Sequence, residues 1–498
     1  MLVNTGAISP FTAGQLVTIN NSGLIDMTTG STSATDRLTI NGNYTGNNAT
    51  LALQSVLGDD SSPSDKLMVS QGTLQGSTGI RITNFGGAGA LTLQDGIQVV
   101  QATNGATGSA GAFSLRGAVS AGAYDYYLFK GGVTPGTEEN WYLRSTVPVV
   151  PLPEPSGPVT PLPEPALGTP VLPGPGPEPI PIYRPEVPVY SVLFPAAQQM
   201  VQAMLGTYHE RMGDQNLQQR TGTFPAGWGR VYGSSSRQSF SGTVNPRLAS
   251  SMSGFQAGGD LFAWSGDGDW TQRVGFFVGH GRLKGDVEGF NGGFQHRDAG
   301  KTTLRGDSLG VYWTLIGAQR GYIDVVLMGT RFSGNSESDR GIKLKTRGHD
   351  VLGSVETGLP LQVSQRWEVE PQAQVIVNRT RLDRQNDGIS DVSFDADTNV
   401  VTRLGVRVRG DYRVAGMPLQ PYVRANVWHA SAGTHRVTFD NVTDIDTEQK
   451  STTLDLNLGA TLTVASGVSV YGQVGYNRNL DSQSLDGRAG SIGVRIEF

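Results

Sequence analysis

The 498-residue sequence contains no cysteine, and charged residues make up only 16% of it. Without thiols there is no disulfide framework and no thiolate metal site. Such a chain suits passage through an oxidising compartment in an unfolded state. The net charge is only −5, which gives no single-sign surplus that would attract nucleic acid. These absences exclude a disulfide-stapled module and argue against a nucleic-acid-binding protein.

Long apolar runs and a secretory leader are missing too. No stretch reaches the roughly 18 apolar residues that a transmembrane helix needs. Residues Met1 to Gly6 have neither a basic start nor an apolar core, so they do not form a signal peptide. Because an exported protein requires one, we expect this chain to be the C-terminal piece of a longer protein, with Met1 added.

Residues 1–146 are rich in Gly, Thr, Asn and Ser, interrupted by short apolar pulses. Turn residues separate the pulses, and no helical periodicity is present. This pattern predicts the stacked rungs of a β-solenoid, with a small sandwich as the alternative. The pulses are centred on Thr39, Ala52, Met68, Arg81 and Gln98.

Most of the 26 prolines lie between residues 147 and 189. With Gly and Glu between them, these residues cannot build a packed core. We expect an extended, polyproline-type spacer, while an SH3-ligand interpretation of Pro161 to Pro165 stays open on the motif alone.

Residues 193–220 predict one helix. Pro195 suits its first turn, and apolar residues recur at three- and four-residue steps from Ala196 to Met212. A surface helix packed on a core is one interpretation. Its place between a spacer and the first barrel strand favours another: a plug formed by residues 190–224.

Residues 225–498 alternate apolar and polar side chains strand after strand and end on Phe498. Long polar connections alternate with tight ones, as in outer-membrane barrels. An even strand count places both barrel ends on the short-turn, periplasmic side. The predicted strands are 228–239, 251–264, 269–284, 303–317, 320–334, 348–362, 366–382, 398–414, 418–433, 451–464, 467–480 and 489–498. The predicted long loops include 285–302, 335–347, 383–397 and 434–450.

Two of these strands carry charges on alternate positions, which must face the lumen because charge on a lipid face costs roughly 2–4 kcal/mol near the midplane. We expect Glu368 and Glu370 to pair with Arg409 and Arg413 of the neighbouring strand. The predicted lumen charges are Glu368, Glu370, Arg403, Arg407, Arg409 and Arg413.

Aromatic residues gather within a few positions of the short-turn end, as in an interfacial belt. The predicted belt contains Trp228, Trp264, Trp270 and Trp367, together with Tyr322, Tyr412, Tyr422 and Phe498.

With these features the chain resembles the monomeric autotransporters of type V secretion. Residues 38–44, the turn 57–65, and the passage from Gly111 to Arg144 resemble the end of a pertactin-like passenger with its autochaperone-like region. Residues 183–190 and 209–214 resemble the segment leading into the family's pore helix. The last strand fits the family's barrel-assembly signal, with Ser491, Gly493, Ile496 and Phe498 in the polar, glycine, apolar and aromatic places.

The resemblance implies an all-β fold: a right-handed parallel β-helix fragment, a Pro-rich linker, a pore helix and a 12-stranded transmembrane barrel. It implies a pore helix that includes Met200, Met204, Tyr208, His209, Glu210 and Arg211. Expected partners are outer-membrane lipids and lipopolysaccharide, the barrel-assembly machinery, periplasmic chaperones and the chain's own passenger, with the protein acting as a monomer. Some members cut themselves after a pore Asn; Asn216 is followed by Leu217, so that cleavage is not expected.

Catalytic signals are weak. The six histidines are dispersed, and His209-Glu210 lacks the second His of a zincin motif. No Gly-x-Ser-x-Gly elbow or phosphate-binding loop occurs, so no catalytic, metal or cofactor site is predicted. Two Arg-Gly-Asp triplets, at 305–307 and 409–411, are assigned to strand structure. The predicted function is a translocator that displays an adhesin; the alternatives are an anchor for a surface enzyme and a diffusion porin.

Overall fold

The computed structural model describes residues 2, 4–149, 162–214, 218, 220–266, 270–431, 433–448, 450–481 and 484–498. Within these ranges the chain forms a stack of short parallel strands, then helices, then a closed antiparallel barrel. The predicted combination of a solenoid, a helical segment and a twelve-stranded barrel is therefore confirmed.

The N-terminal region is a β-solenoid whose strands pair in parallel from one rung to the next. Leu38 lies level with Leu67, and Leu51 lies level with Ile80. All four side chains are buried in one apolar column. The sandwich alternative is wrong, because sandwich sheets are antiparallel. The solenoid strands are Thr5–Ile8, Val17–Asn21, Leu24–Asp26, Arg37–Ser55, Lys66–Ser70, Thr73–Asn84, Ile97–Thr103, Thr107–Gly108 and Phe113–Leu115.

An antiparallel cap closes the C-terminal end of the solenoid. It consists of Val119–Ala121, Tyr124–Lys130 and Trp141–Arg144, and the last of these also pairs with Ile97–Thr103. Trp141 is fully buried, and its ring lies edge-on to that of Phe113 with the centroids 4.9 Å apart. Aromatic rings thus cover the end of the apolar column.

The proline-rich stretch differs from the extended spacer predicted over 147–189. Strand Thr146–Val147 pairs with Ile180–Pro181, so the two ends of the stretch lie side by side. Strand Glu164–Pro165 pairs with the cap. These backbone hydrogen bonds fold the stretch back on itself, and it adds no reach between solenoid and barrel. Residues 150–161 lie outside the described residues.

Three consecutive helices replace the single helix predicted over 193–220: α1 (Glu186–Ser191), α2 (Leu193–Leu205) and α3 (Tyr208–Met212). Helix α2 ends at Gly206, whose φ of 60° is a left-handed conformation that glycine adopts readily. Helix α3 then begins afresh at the N-cap residue Thr207. Residues 215–217, including Asn216, lie outside the described residues.

Twelve long antiparallel strands close into a barrel. The first pairs with the second and also with the last, from Ala226 opposite Glu497 to Gln238 opposite Leu485, so the barrel sheet has no free edge. The strands are β1 (Gly222–Ser239), β2 (Arg247–Ser265), β3 (Thr271–Asn291), β4 (Phe294–Ile316), β5 (Tyr322–Ser338), β6 (Lys343–Gly358), β7 (Trp367–Leu382), β8 (Asn399–Gly410), β9 (Met417–Ala430), β10 (Ser451–Ala465), β11 (Val468–Asn479) and β12 (Leu485–Glu497). Two short strands, Leu361–Gln362 and Tyr412–Val414, pair at the barrel's edge.

Several strands are longer than predicted. Strands β3 and β4 contain 21 and 23 residues, whereas a tilted strand crosses a bilayer in about 9–11 residues. A two-residue turn, Gly292–Gly293, joins them where a loop over 285–302 was predicted. Strands β5 and β6 likewise extend into the predicted loop 335–347. The part of a strand that extends beyond the bilayer needs no apolar face, so its sequence resembles that of a polar loop.

A four-stranded antiparallel sheet lies beside the barrel end that carries the β7–β8 and β9–β10 connections, which we call the loop side. Two of its strands come from each connection, which were predicted to be loops. Val392, Val437, Phe439 and Ile445 are buried in it. The strands are Gln385–Asn386, Asp391–Ala396, Thr434–Phe439 and Thr443–Glu448.

The opposite end, the turn side, holds the tight connections and both barrel termini. Along β12, Ile492, Val494 and Ile496 point outward and are exposed, while Gly493 and Arg495 are buried inside. Phe498 follows at the rim and is 69% exposed. The predicted alternation thus separates an apolar outer face from a polar lumen.

Glycines in the wall leave room for aromatic rings of neighbouring strands. A Cβ added at Gly493 would lie 2.5 Å from the Tyr471 ring, and one at Gly275 would lie 2.2 Å from the Tyr312 ring. The same fit recurs where the Tyr422 ring covers Gly459. A larger residue at these glycines would displace a ring that packs against the wall.

We expect Gly493→Val to lower the free energy of unfolding of the barrel by about 1–3 kcal/mol, because it overpacks the Tyr471 ring. The measurement is the denaturant midpoint of the detergent-folded protein. The matched control is Gly490→Val, where the nearest atom to an added Cβ is 3.4 Å away. Equal midpoints for the two variants would contradict the ring-on-glycine explanation.

Candidate functional site: the occupied barrel lumen

Helices α1–α3 pass through the barrel lumen from one end to the other. At the loop side, Glu186 of α1 binds Arg340 in the β5–β6 connection. At the turn side, Arg211 of α3 binds Asp324 near the start of β5. The chain therefore runs from the solenoid, through the lumen, to the first barrel strand.

Glycines in the wall admit the methionines of α2. A Cβ added at Gly281 would lie 2.7 Å from Cε of Met204, and one at Gly306 would lie 2.7 Å from Sδ of Met200. Both methionines are fully buried. The apolar face of α2 thus packs on β3 and β4 at a distance that only glycine permits.

The C-terminal end of α2 is held by barrel side chains. Nη2 of Arg230 donates to the carbonyls of Ala203 at 2.9 Å and Met204 at 3.2 Å, and Gln256 donates to the latter as well. These carbonyls lack partners within the helix. A cation at this position also complements the helix dipole.

Helix α3 begins with a capping box in which Thr207 and Glu210 bind each other's backbone N–H groups. The barrel completes this cap. Nη1 of Arg424 donates to Oγ1 of Thr207 at 2.7 Å, and its Nη2 binds Glu210. The backbone N–H of Tyr208 donates to Glu356 at 2.9 Å. The start of α3 is therefore specified by the wall that surrounds it.

A turn-side cluster of charges fixes the far end of α3. Nε2 of His209 lies 2.7 Å from Oε1 of Glu370. The two oxygens of Asp214 bind Arg409 at 2.6 Å and Arg407 at 3.2 Å. All five side chains are at most 2% exposed.

Such burial makes the pairing of charges decisive. Removing one partner of a buried ion pair costs about 3–5 kcal/mol, because it leaves the other charge without compensation. The helix can therefore not slide along the lumen without separating several pairs at once. The arrangement holds the helices in one position.

The last strand takes part in a second buried group of charges. Nη2 of Arg495 on β12 lies 2.8 Å from Oδ2 of Asp260 on β2, and Nη1 of Arg273 on β3 lies 2.7 Å from the same oxygen. The hydroxyl of Tyr312 donates to Oδ1 of Asp260 at 2.7 Å. These contacts cross β1 and tie the closing seam of the barrel from the inside.

A second charged group, the mouth cluster, joins barrel, helix and cap at the loop side. It consists of Asp125, Arg184, Glu186, Arg340 and Asp387. Arg340 binds Asp125 at 2.9 Å and Glu186 at 2.6 Å, while Arg184 binds Asp387 at 2.7 Å. Burial raises the pKa of Asp125 even though Arg340 opposes that shift. The solenoid cap is thus bound to the barrel rim.

The helices do not fill the whole lumen. A polar cavity of about 290 Å³ remains beside α2. Its lining includes Gln199, Gln202, Trp428, Asp455 and Arg488, from α2 and from β9–β12. The occupied lumen therefore has one tightly packed side and one polar side.

The structure places most predicted lumen charges inside, with one exception. Glu368 and Arg409 pair at 3.2 Å, as expected, whereas Glu370 lies level with Arg407. Arg413 belongs to the short hairpin strand Tyr412–Val414 and is exposed. Its predicted pairing is wrong, because β8 ends at Gly410 and the chain beyond it no longer lines the lumen.

Three residues of the predicted aromatic belt lie inside the barrel instead. Trp228, Tyr322 and Tyr422 are 5%, 2% and 7% exposed. Trp228 faces the lumen like Arg230 two residues further along β1, and Tyr322 faces it like Asp324 on β5. The belt prediction used only their nearness to the strand end and therefore placed them wrongly. The belt residues that do point outward are Trp264, Trp270, Trp367, Tyr412 and Phe498, each 38–69% exposed.

Sequence reasoning missed the wall residues that bind the helices. Arg230, Asp260, Asp324, Glu356 and Arg424 were not singled out. Each occupies an inward position of its strand, so alternation could have found them. Their partners on the helices could not be predicted from the sequence, since the two residues of each pair lie far apart along the chain.

In the described ranges, no group of three or more His, Asp or Glu side chains could hold a metal ion. Likewise, no helix of this part of the chain is long and apolar enough to cross a membrane.

Comparison with known families and proteins gives a consistent result. The family model described as autotransporter beta-domain matches residues 227–475, and the model described as autochaperone domain type 1 matches residues 14–128. The transport unit of the autotransporter AIDA-I from Escherichia coli has a similar fold, with a TM-score of 0.53 at 20% identity. That match covers 64% of this chain and all of that one.

Two curated relatives cover most of this chain. Adhesin BmaC autotransporter of Brucella suis is 29% identical over 502 residues, covering 93% of this chain but only 13% of that protein. The protein YdeU of Escherichia coli K12 is 29% identical over 495 residues, covering 93% of this chain and 98% of that protein. The chain therefore spans a small part of one relative and nearly all of the other.

We expect Asp214→Asn to lower the free energy of unfolding by about 3–5 kcal/mol, because Arg407 and Arg409 would lose the carboxylate between them. The measurement is denaturant unfolding in detergent micelles. The matched control is Asp286→Asn, whose carboxylate is 75% exposed and lies 3.8 Å from Lys301; it should change the free energy by less than about 1 kcal/mol. An equally small effect at Asp214 would show that the buried pairs do not hold the helix.

Proposed function

This chain belongs to the autotransporter family, with an outer-membrane translocator barrel and a passenger exposed on the cell surface, and from that premise we propose that helices α1–α3 are the plug that remains in the pore after export. The observation that carries the proposal is the match of buried polar side chains between the wall and the segment from α3 to Asp214. A helix passing through transiently would not need a counter-charge at each step.

Export then runs outward from the periplasmic turn side to the extracellular loop side. The solenoid lies at the loop side, and its cap is bound to the rim through Asp125 and Arg340. Solenoid rungs fold by stacking on neighbours that have already formed. A cap held at the rim supplies the first such neighbour, so folding outside opposes any return of the chain into the pore.

The lipid-facing surface of the wall at its periplasmic end serves insertion and anchoring. We assign barrel-assembly recognition to Ser491, Gly493, Ile496 and Phe498, since Ile496 and Phe498 are exposed on the outer face next to the seam. We assign the periplasmic aromatic belt to Trp264, Trp270 and Trp367. Partners of these sites are the insertion machinery, the periplasmic chaperones and membrane lipids.

For the passenger we propose adhesion rather than catalysis. The support is the similarity to a relative, adhesin BmaC autotransporter, together with a solenoid that presents an extended surface. The alternative, a surface-anchored enzyme, would place its chemistry in passenger regions outside this chain.

Deleting α2 and α3, residues 193–212, should raise single-channel conductance in planar bilayers at least severalfold, because the helices would no longer fill the lumen. Deleting the exposed residues 167–171 of the proline-rich stretch is the control and should leave conductance unchanged. Unchanged conductance without the helices would rule out the plug, and a high conductance of the intact chain would favour the diffusion-porin alternative.

Cells of a non-adherent Gram-negative host that display the full precursor should adhere to host-cell surfaces or to one another. Cells that display only residues 186–498 should not. Counting bound or aggregated cells checks this. Adherence equal in the two strains would contradict an adhesive passenger, whereas substrate turnover without adherence would favour the enzyme.

A further inference from the structure

The outward face of β3–β7 carries an unusual set of arginines, which we call the basic patch. Its members share one side of the barrel wall and are all exposed. They are Arg282, Arg305, Arg331, Arg347, Arg379 and Arg381.

Strand register places the basic patch on adjacent levels of the wall. Arg282 lies directly opposite Arg305, and Ser333 lies between Arg305 and Arg347 on the next strands. One level nearer the turn side, Arg331 lies between Asp307 on β4 and His349 on β6. Like charges directly opposite each other destabilise a sheet, so this arrangement favours an anion that bridges them.

Two neighbouring charged groups on the same strands are paired, whereas the basic patch is not. Lys301 pairs with Asp286 at 3.8 Å, and His280 pairs with Asp307 at 2.7 Å. Among the described residues, none forms an ion pair with a member of the basic patch. The patch therefore presents six guanidinium groups with a single carboxylate, Asp307, directly opposite one of them, Arg331, so an external anion can bridge the others.

The patch lies where the membrane ends. A tilted strand crosses the bilayer in about 9–11 residues, and counting from Thr271 on β3 or Tyr322 on β5 ends the crossing near Arg282 and Arg331. Two levels below Arg282, Arg305 and Arg347, the outward residues of β3, β4 and β6 are apolar: Val278, Leu309 and Val351 are 46%, 59% and 64% exposed, and Arg379 of β7 continues this row beside Val351. A ligand here would meet arginines with its head and an apolar wall with its tail.

We propose that the basic patch binds the phosphorylated glycolipid of the outer leaflet, lipopolysaccharide, with lipid phosphates between the arginines and acyl chains along the apolar rows. Guanidinium groups bind phosphate in bidentate fashion, and each basic residue near an anionic lipid surface adds to the attraction. The patch covers only β3–β7, so the lipid is bound on one side of the barrel. The assignment rests on the outer-membrane location and is independent of the plug.

The test compares the protein with the double variant R282S/R305S, both purified in mild detergent. Native mass spectrometry after adding diphosphorylated lipid A should show lipid occupancy lower by about tenfold in the variant, since two of the cations are lost. The matched control is R384S/R436S, which removes two exposed loop-side arginines that are ion-paired with Asp391 and Asp446. It should bind lipid like the parent.

Thermal unfolding gives a second readout. Without lipid, R282S/R305S should unfold at the same temperature as the parent or higher, because the opposed arginines no longer repel each other. Lipid A should raise the unfolding temperature of the parent and leave that of the variant nearly unchanged. Equal lipid occupancy in parent and variant would overturn the proposal. So would an equal shift with dephosphorylated glycolipid or with inorganic phosphate alone.

Discussion

A closed barrel whose interior carries buried charges is stable only when each charge meets an opposite one, and the rest of this structure depends on that condition. The wall alone does not satisfy it. Asp214 and Glu210 of the helical segment supply counter-charges for Arg407 and Arg424, and His209 lies within hydrogen-bond distance of Glu370. Helix and wall are therefore one electrostatic unit, and the position of the helix follows from the pairs.

The same condition recurs at the two ends of the lumen with different consequences. At the periplasmic side the pairs lock α3, and Asp260 ties Arg495 of the last strand to β3. At the extracellular side the mouth cluster binds the cap of the solenoid to the rim. The proline-rich stretch folds back on the cap and does not act as a spacer. The contact between cap and rim therefore sets the position of the passenger on the barrel.

The outer face of the wall obeys the opposite rule. Apolar side chains cover it where it meets lipid, and charge returns where the membrane ends. On β3–β7 the six arginines of the basic patch carry charge of one sign and form no ion pair within the described residues, in contrast to the balanced lumen. In the lumen, the protein supplies both positive and negative charges. On the outer face, we expect the membrane to supply the negative charge.

Much of the architecture follows from the sequence because strand alternation has a period of two residues and needs no distant partner. The apolar face of β12, the inward charges of β7 and β8, and the solenoid pulses around Thr39 and Met68 are all readable in this way. Periodicity also identified α2. It could not show that Gly206 divides the helical segment, because a single glycine is tolerated in many helices.

Only the tertiary structure decided which distant residues meet. The partner of Asp214 lies about two hundred residues away in the chain, and nothing in either local sequence names the other. Likewise, only the structure showed that Trp228, Tyr322 and Tyr422 lie inside the barrel, with the inward parity of Arg230, Asp324 and Arg424 on their strands. The sequence by itself thus determined the barrel, the solenoid and the side each residue faces wherever alternation is regular. Strand register and long-range charge pairing determined the position of the plug, the contact between passenger and barrel rim, and the basic patch. Each of these features depends on residues that only the folded barrel brings together.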